Sequence, residues 1–263
     1  MKKIVIETAK ILSKKQWAPD LNLINLGPFS KAGIIKPGQF VHIKISDTDI
    51  LFRRAFSVFD TDAKNDSLSI LFKVFGRGTS RLAVLPKGAK VNIMGPLGNG
   101  FSFPRRKEMA VLAGGGIGLP PLYLLAKEMI ERGYDRKRIL IFYGGKTRRE
   151  LIELNRLRGL GPKVICSTDD GSYGLQGFVS DAIRKLISGK SENYRIYACG
   201  PNGMLKAIDE MAREFKIPGQ LSLEAPMPCG TGICLGCIVP LRAGGYSRVC
   251  REGPVYEIGE VLL

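Results

Sequence analysis

The sequence predicts a multidomain β plus α/β protein: an antiparallel β-barrel, then a doubly wound parallel sheet, then a small cysteine-rich domain. Three observations carry this. Over the first hundred residues, short alternating runs are separated by Pro- and Gly-rich breaks such as KPGQF, FGRGTS, LPKGAK and GPLGNG, the pattern of a closed all-β domain. After Pro104, strand-like runs alternate with helical ones, the pattern of a parallel α/β sheet. Beyond residue 222 the helical period disappears and four cysteines arrive among glycines and prolines. The expected domains are 1–103, 104–222 and 223–263, and a chain of 263 residues suits about two full-sized domains and a small one.

In the barrel region, FVHIKIS alternates apolar Val41, Ile43 and Ile45 with polar His42 and Lys44, and LSILFKVF does so less cleanly around Ile70 and Phe72. Pro96 to Phe101 closes the region. The α/β region opens on the buried strand MAVLAGG. The helix LPPLYLLAKEMIERG follows, with Leu122, Leu125, Met129 and Ile130 on one stripe, proline near its start and Gly133 as a stop. Strand RILIFYGG, helix ELIELNRLRG, strand KVICST, helix FVSDAIRKLIS, strand YRIYACG, helix GMLKAIDEMAREFK and strand QLSLE complete it. In the last stretch only VYEIGEVLL reads as a strand.

Composition narrows the class. Apolar residues make up 44% and charged residues 24%, an ordinary globular balance. Forty Lys and Arg against 24 Asp and Glu give a net charge of +16, which favours anionic partners. The basic residues are spread over Arg105–Lys107, Arg132–Arg138, Lys146–Arg149 and Arg156–Arg158 and are not interleaved with aromatics in a single patch, so a nucleic-acid surface is not expected. The uncharged stretch from Met109 to Ala126 is interrupted by GGGIG and two prolines, which argues against a membrane span. The start MKKIVIETAKIL lacks the apolar core of a signal peptide, and a cytoplasmic, reducing location is expected. Clustered cysteines are then read first as metal ligands.

Cys229, Cys234, Cys237 and Cys250 give C-x4-C-x2-C-x12-C. The first three match the plant-type spacing for a [2Fe–2S] cluster, with the fourth ligand arriving later. Gly230, Gly232 and Gly236 let backbone amides approach the sulfurs. Tetrahedral zinc is the competing reading, although zinc sites usually pair two C-x2-C knuckles and only one is present. Cys166 ends a buried strand and reads as packing. Cys199 precedes Gly200-Pro201 at the carboxyl end of a parallel strand, where open α/β sheets bind ligands, and is the candidate catalytic residue beside a small buried hydrophobe as the alternative.

Arg54-Ala55-Phe56-Ser57 has the form R-x-[FY]-S, in which an arginine can bridge a pyrophosphate, an aromatic can pack on a flavin and a hydroxyl can reach the flavin edge. The turn Gly76 to Ser80 offers amides and hydroxyls to phosphate. Gly114-Gly115-Gly116-Ile117-Gly118 lies between a strand and a helix, where phosphate binding is favoured, yet it does not satisfy G-x-G-x-x-G. Asp169-Asp170 follows the strand KVICST. Carboxylates there would accept ribose hydroxyls and repel a 2′-phosphate, which tilts toward NAD over NADP. A solvated turn is the plain alternative.

Taken together, the R-x-[FY]-S barrel, GGGIG and the C-G-P turn resemble the ferredoxin reductase superfamily. GGGIGLPPL, TDDGSYG, YACGPNGML and SLEAPMPCGTGICLGC are similar to one branch, the electron-transfer subunits of NAD-dependent dihydroorotate dehydrogenases of the B type, from about residue 5 onward. That resemblance implies FAD, a [2Fe–2S] cluster and NAD. It also implies a catalytic partner subunit carrying FMN that oxidises dihydroorotate to orotate, in a heterotetramer of two of each. By the same resemblance Arg54, Ala55, Phe56, Ser57, Leu71, Phe72, Lys73, Gly78 and Thr79 contact FAD, and the four cysteines ligate the cluster. Gly114, Gly115, Gly116 and Gly118, with Asp169 and Asp170, are the expected NAD residues. Members often read E-x-R-M before the first cysteine, where this chain has Glu224-Ala225-Pro226-Met227. Subunits of sulfide dehydrogenases, hydrogenases and bifurcating transhydrogenases share the three modules, but a bifurcating relative with aspartate as first cluster ligand is disfavoured by Cys229.

Overall fold

The computed structural model describes residues 4–45, 50–189 and 192–263. Contacts group them into two compact units: Met1–Gly100 with Glu224–Ile238 and Ser247–Pro254, and Phe101–Leu223 with Val239–Tyr246 and Val255–Leu263. Residues of the segment 223–263, expected as a domain of its own, fall in both groups.

The first unit is built on a closed six-stranded barrel. Its strands are β1 (Val5–Ala18), β2 (Leu21–Gly27), β3 (Phe40–Lys44), β4 (Arg54–Asp62), β5 (Ser67–Lys73) and β6 (Lys90–Leu97), ordered β1-β2-β5-β4-β3-β6. All neighbours are antiparallel, and β6 closes on β1 with Val5 opposite Gly95 and Lys10 opposite Lys90. Closure removes the exposed edges that a flat sheet would present. Beyond Ile11 β1 is exposed residue after residue, so its alternation lapses and hides a 14-residue strand that sequence patterning passed over. The expected strand FVHIKIS ends at Lys44, and its Ser46 lies outside the described residues. Its alternation fails in one place. His42 is fully buried, because β3 is covered on both faces. The segment Gly76 to Ser80, expected as a turn, instead leads into helix α1 (Arg77–Val84).

The second unit is a seven-stranded sheet. Its strands are β7 (Met109–Gly115), β8 (Ile139–Gly145), β9 (Lys163–Thr168), β10 (Leu175–Gln176), β11 (Tyr194–Cys199), β12 (Gly219–Ser222) and, beyond β13 (Ile238–Pro240) and β14 (Tyr246–Arg248), β15 (Val255–Glu257). The order is β10-β9-β8-β7-β11-β12-β15. Every pairing is parallel except β12 with β15, where Gln220 stands opposite Glu257. Helices α2 (Leu119–Glu131), α3 (Leu154–Gly159), α4 (Val179–Ser188) and α5 (Asn202–Glu214) cover the sheet. Alpha2 has prolines in its first turn, and Gly133 beyond its end adopts φ +76°, the left-handed geometry that glycine tolerates. The helix expected over ELIELNRLRG keeps only its second half, after a short turn at Arg148–Glu150. Chain order runs outward from β7 in one direction and from β11 in the other, so the topological switch point lies between these two strands. In open α/β sheets that crevice is where ligands bind. Among the described residues no helix is long and apolar enough to cross a membrane.

Candidate cofactor sites

In the barrel unit, β3 holds the start of β4 in register, with Ile43 opposite Arg54, Val41 opposite Phe56 and Phe40 opposite Ser57. Arg54 turns toward α1. A Cβ built on Gly78 would fall inside the Arg54 guanidinium, with Cζ at 2.7 Å. Glycine is therefore required at 78 for the arginine to lie across the first turn of the helix. One guanidinium N–H donates to the Phe52 carbonyl. The Thr79 hydroxyl ties the turn, accepting from the amides of Phe75 at 2.9 Å and Gly76 at 3.2 Å. A cation and the N-terminus of a helix stand together here, which is the chemistry a pyrophosphate needs.

Other expected flavin residues are placed differently. Phe56 and Phe72 are 6% and 3% exposed and pack edge to face with ring centroids 5.4 Å apart. Leu71 is buried, and Lys73 pairs with Asp20 at 3.4 Å. Ala55 is exposed and Ser57 half-buried on the same strand.

In the α/β unit, Gly114 stands opposite Cys199 across β7 and β11, at the switch point. A Cβ on Gly118 would fall onto the Cys199 carbonyl, and one on Gly200 would come within 3.1 Å of the Gly115 backbone. A Cβ on Gly115 would meet Pro201 and Met204, each at 2.8 Å. The GGGIG and C-G-P turns thus interlock main chain to main chain. Gly116 differs: its φ is +51° and nothing lies within 4 Å of where a Cβ would be. Its carbonyl accepts from the Tyr143 hydroxyl at 3.3 Å, which fixes the turn from below. Cys199, the candidate catalytic residue, is 2% exposed.

Asp169 and Asp170 follow β9, held by backbone bonds from their amides to the Gly145 and Lys146 carbonyls. Asp170 also accepts from the Ser172 amide at 2.9 Å. Hydrogen bonds from Ser172 hold its carboxyl below the usual carboxylate range. The Arg148 guanidinium lies 4.7 Å from the Tyr173 ring centre and donates to the Leu151 carbonyl at 3.2 Å.

The cysteine loop belongs to the barrel unit. Asn99, beyond β6, anchors it: its amide donates to the Gly253 carbonyl at 2.6 Å, and its side chain to Glu252 at 2.7 Å. Backbone amides of Thr231, Gly236 and Cys250 donate to the sulfurs of Cys229, Cys234 and Cys237, each at 3.4 Å. Two of the thiols, Cys229 and Cys250, are shifted in opposite directions. Burial and then the neighbouring Cys237 and Cys229 push Cys250 up to about 12. Burial works upward on Cys229 too, but hydrogen bonds from Cys234 and Thr231 outweigh it and hold the thiol at about 5. Among the described residues no three His, Cys, Asp or Glu side chains are arranged around a single ion. A two-iron cluster asks for something else, two thiolate pairs with amides aimed at their sulfurs, and this donor set fits it. Gly236 and Gly232 serve the sulfurs as the spacing predicts, Gly232 through its amide near Cys250. Gly230 has another reason to be glycine. With φ +70°, it lies against the His42 imidazole, whose three nearest atoms would stand 2.6–3.0 Å from a Cβ. Sequence reasoning missed His42. A lone histidine in an otherwise apolar β-run was the available signal.

Two family models match. Residues 224–262 match the iron–sulfur cluster binding domain of dihydroorotate dehydrogenase B, and residues 112–210 match the oxidoreductase NAD-binding domain. The dihydroorotate dehydrogenase B (NAD(+)) electron transfer subunit of Enterococcus faecalis (strain ATCC 47077 / OG1RF) is 36% identical, over 98% of both chains. That of Geobacillus thermodenitrificans (strain NG80-2) is 39% identical, again over 98% of both. Among solved structures, an NADH-dependent reduced ferredoxin–NADP oxidoreductase studied for flavin-based electron bifurcation superposes with a TM-score of 0.84 at 29% identity, covering 97% of this chain and 89% of that one. A ferredoxin–NADP+ reductase from Neisseria gonorrhoeae with bound FAD and NADP shares the fold, with a TM-score of 0.67 at 19% identity over 80% of this chain and 91% of that one.

Proposed function

The chain belongs to the family of dihydroorotate dehydrogenase B (NAD(+)) electron transfer subunits, and we propose that it carries electrons from a catalytic partner subunit to NAD in pyrimidine biosynthesis. The partner carries FMN and oxidises dihydroorotate to orotate, in a cytoplasmic assembly of two copies of each subunit. The observation that carries this reading is the loop of four cysteines with backbone amides on three of their sulfurs, within the segment that matches the cluster-binding domain of such enzymes.

When bound, a [2Fe–2S] cluster and FAD supply the conversion between single electrons and a hydride, since a flavin handles either and a nicotinamide takes only the hydride. The chain's own residues supply position and charge. Cys229, Cys234, Cys237 and Cys250 hold the irons. Arg54 and the first turn of α1, with Gly78 and Thr79, neutralise the FAD pyrophosphate. Ala55, Phe56 and Ser57 on β4, with Leu71, Phe72 and Lys73 on β5, form the wall beside the flavin. Gly114, Gly115, Gly116 and Gly118 receive the NAD pyrophosphate at the start of α2, Asp169 and Asp170 accept the adenosine ribose hydroxyls, and Cys199 borders the nicotinamide.

The likeness to the bifurcating oxidoreductase supports a second reading, the same relay serving a different partner. Co-purification from native cells separates the two by the identity of the bound subunit. The relay itself is tested with Cys234→Ser. This variant should lose the iron–sulfur absorption and transfer to the partner, yet keep NADH oxidation with an artificial acceptor. Two irons per chain retained in the variant would refute the ligand assignment.

A further inference from the structure

His42 is the one histidine of the chain. It sits in the middle of β3 with 0% of its surface exposed. Neither ring nitrogen has a hydrogen-bond partner. Such a residue is costly: a buried donor or acceptor left without a partner carries its full desolvation penalty, and a neutral imidazole has one of each. Burial and then the charge of Arg53 depress its pKa to about 4, so the ring stays neutral and keeps a single N–H.

Its surroundings say where that N–H is aimed. On the strands either side of β3, His42 stands opposite Ala55 on β4 and Met94 on β6. An aromatic neighbour is Phe40, 5.6 Å away between ring centres and tilted. Of these side chains only the Met94 thioether offers an acceptor, and a weak one. The remaining neighbour is the cysteine loop, where the ring covers the Cα of Gly230, one residue after the first thiol. Leaving out the side chain at 230 is what lets the imidazole reach the loop. Two unmet ring nitrogens in a dry site therefore face the one loop of this unit built to hold an electron-rich inorganic group.

We propose that His42 is a positioning residue of the cluster site, donating its ring N–H to a sulfur of the cluster held by the Cys229 loop and thereby raising the reduction potential of that cluster. The proposal rests on the ligand assignment above. Each one-electron reduction adds a negative charge to the cluster, and a fixed N–H stabilises the reduced form more than the oxidised form. The lone pair on the other nitrogen stays in the apolar interior, where one orphan acceptor is tolerated more readily than an orphan pair.

The test uses the complete protein with its bound cofactors. Wild type, His42→Leu and His42→Asn are compared in a redox titration followed by the electron paramagnetic resonance of the reduced cluster, with iron, flavin and thermal midpoint measured on each. The leucine variant should titrate at a more negative potential with iron and flavin content unchanged, and asparagine, which keeps an N–H donor, should recover part of the shift. Equal potentials in wild type and leucine variant would overturn the proposal. So would equal shifts in both variants, because packing alone would then explain them. Pulsed resonance of wild-type protein grown with 15N-histidine does not depend on any variant folding. The only label is then His42, and a weak 15N coupling to the reduced cluster is expected. A labelled protein with two irons and no such coupling refutes His42 as the donor, whereas a wild type lacking two irons per chain refutes the ligand assignment first.

Discussion

Two glycine-rich turns lead from a strand into a helix, Gly76 to Thr79 before α1 and Gly114 to Gly118 before α2, and they are glycine-rich for different reasons. In the first, the missing side chain makes room for a side chain, the Arg54 guanidinium across Gly78. In the second it makes room for main chain, the Cys199 carbonyl and Gly200 amide against Gly118. A flexible arginine can step aside, but a strand in the middle of a sheet cannot. The first turn thus packs against a side chain that can yield, while the second is part of the fold itself and exposes only Gly116 as open backbone.

Substitution separates the two. The largest effect is expected for Gly118→Ala, where the new methyl must displace the end of β11. Overpacking of this kind costs about 3 kcal/mol, and chemical denaturation should show that loss whether or not NAD is present. Gly78→Ala should leave the denaturation midpoint nearly unchanged and appear instead as weakened flavin retention. If both variants lost equal stability, the distinction between the turns would collapse.

Next in size is Arg54→Ala. A charge-assisted hydrogen bond contributes about 1.5–3 kcal/mol, so flavin affinity measured by fluorescence on dialysis should fall by about tenfold to a hundredfold. It should fall by a similar factor in Gly78→Ala, because both changes remove the guanidinium from the α1 terminus. Unchanged affinity in Arg54→Ala would place the pyrophosphate elsewhere.

The smallest effect concerns the nucleotide at the second turn. Like charges about 4 Å apart cost on the order of 4 kcal/mol at an effective dielectric near 20, before screening. NADH should therefore exceed NADPH by at least about tenfold in kcat/KM for dye reduction, with Asp169→Asn narrowing the ratio. Arg148, the nearest threat to this preference, is occupied by the Tyr173 ring and the Leu151 carbonyl. Equal efficiencies would show that the carboxylates do not read the ribose.

The parallel sheet was the most legible part of the sequence. Strands KVICST and MAVLAGG appear with the expected ends, since buried parallel strands read as short apolar runs. The cysteine loop was legible because its chemistry fixes its spacing. What escaped depended on contacts remote in sequence. Strand β1 shows little alternation because its outer face meets solvent along most of its length. Alpha1 was hidden by Gly76 and Gly78, the second of which leaves room for Arg54 of β4. His42 looked like the polar side of an alternating strand until the barrel, closing around β3, buried both faces. Asn99, read only as part of a closing turn, holds the cysteine loop through carbonyls more than 150 positions away.

The pairing of β15 with β12 has a bearing on how the polypeptide is made. Synthesis proceeds from the amino end at about 5–20 residues per second, so all six barrel strands and the first six strands of the sheet are finished before β15 exists. Until residues 255–257 arrive, β12 presents an uncovered row of amides and carbonyls, and until residues 224–238 and 247–254 arrive the barrel unit is incomplete as well. An open strand edge invites pairing with another nascent chain. Both units are thus completed by the same late stretch, and a ribosome stalled between Ser222 and Pro254 would release two unfinished structures rather than one finished and one missing.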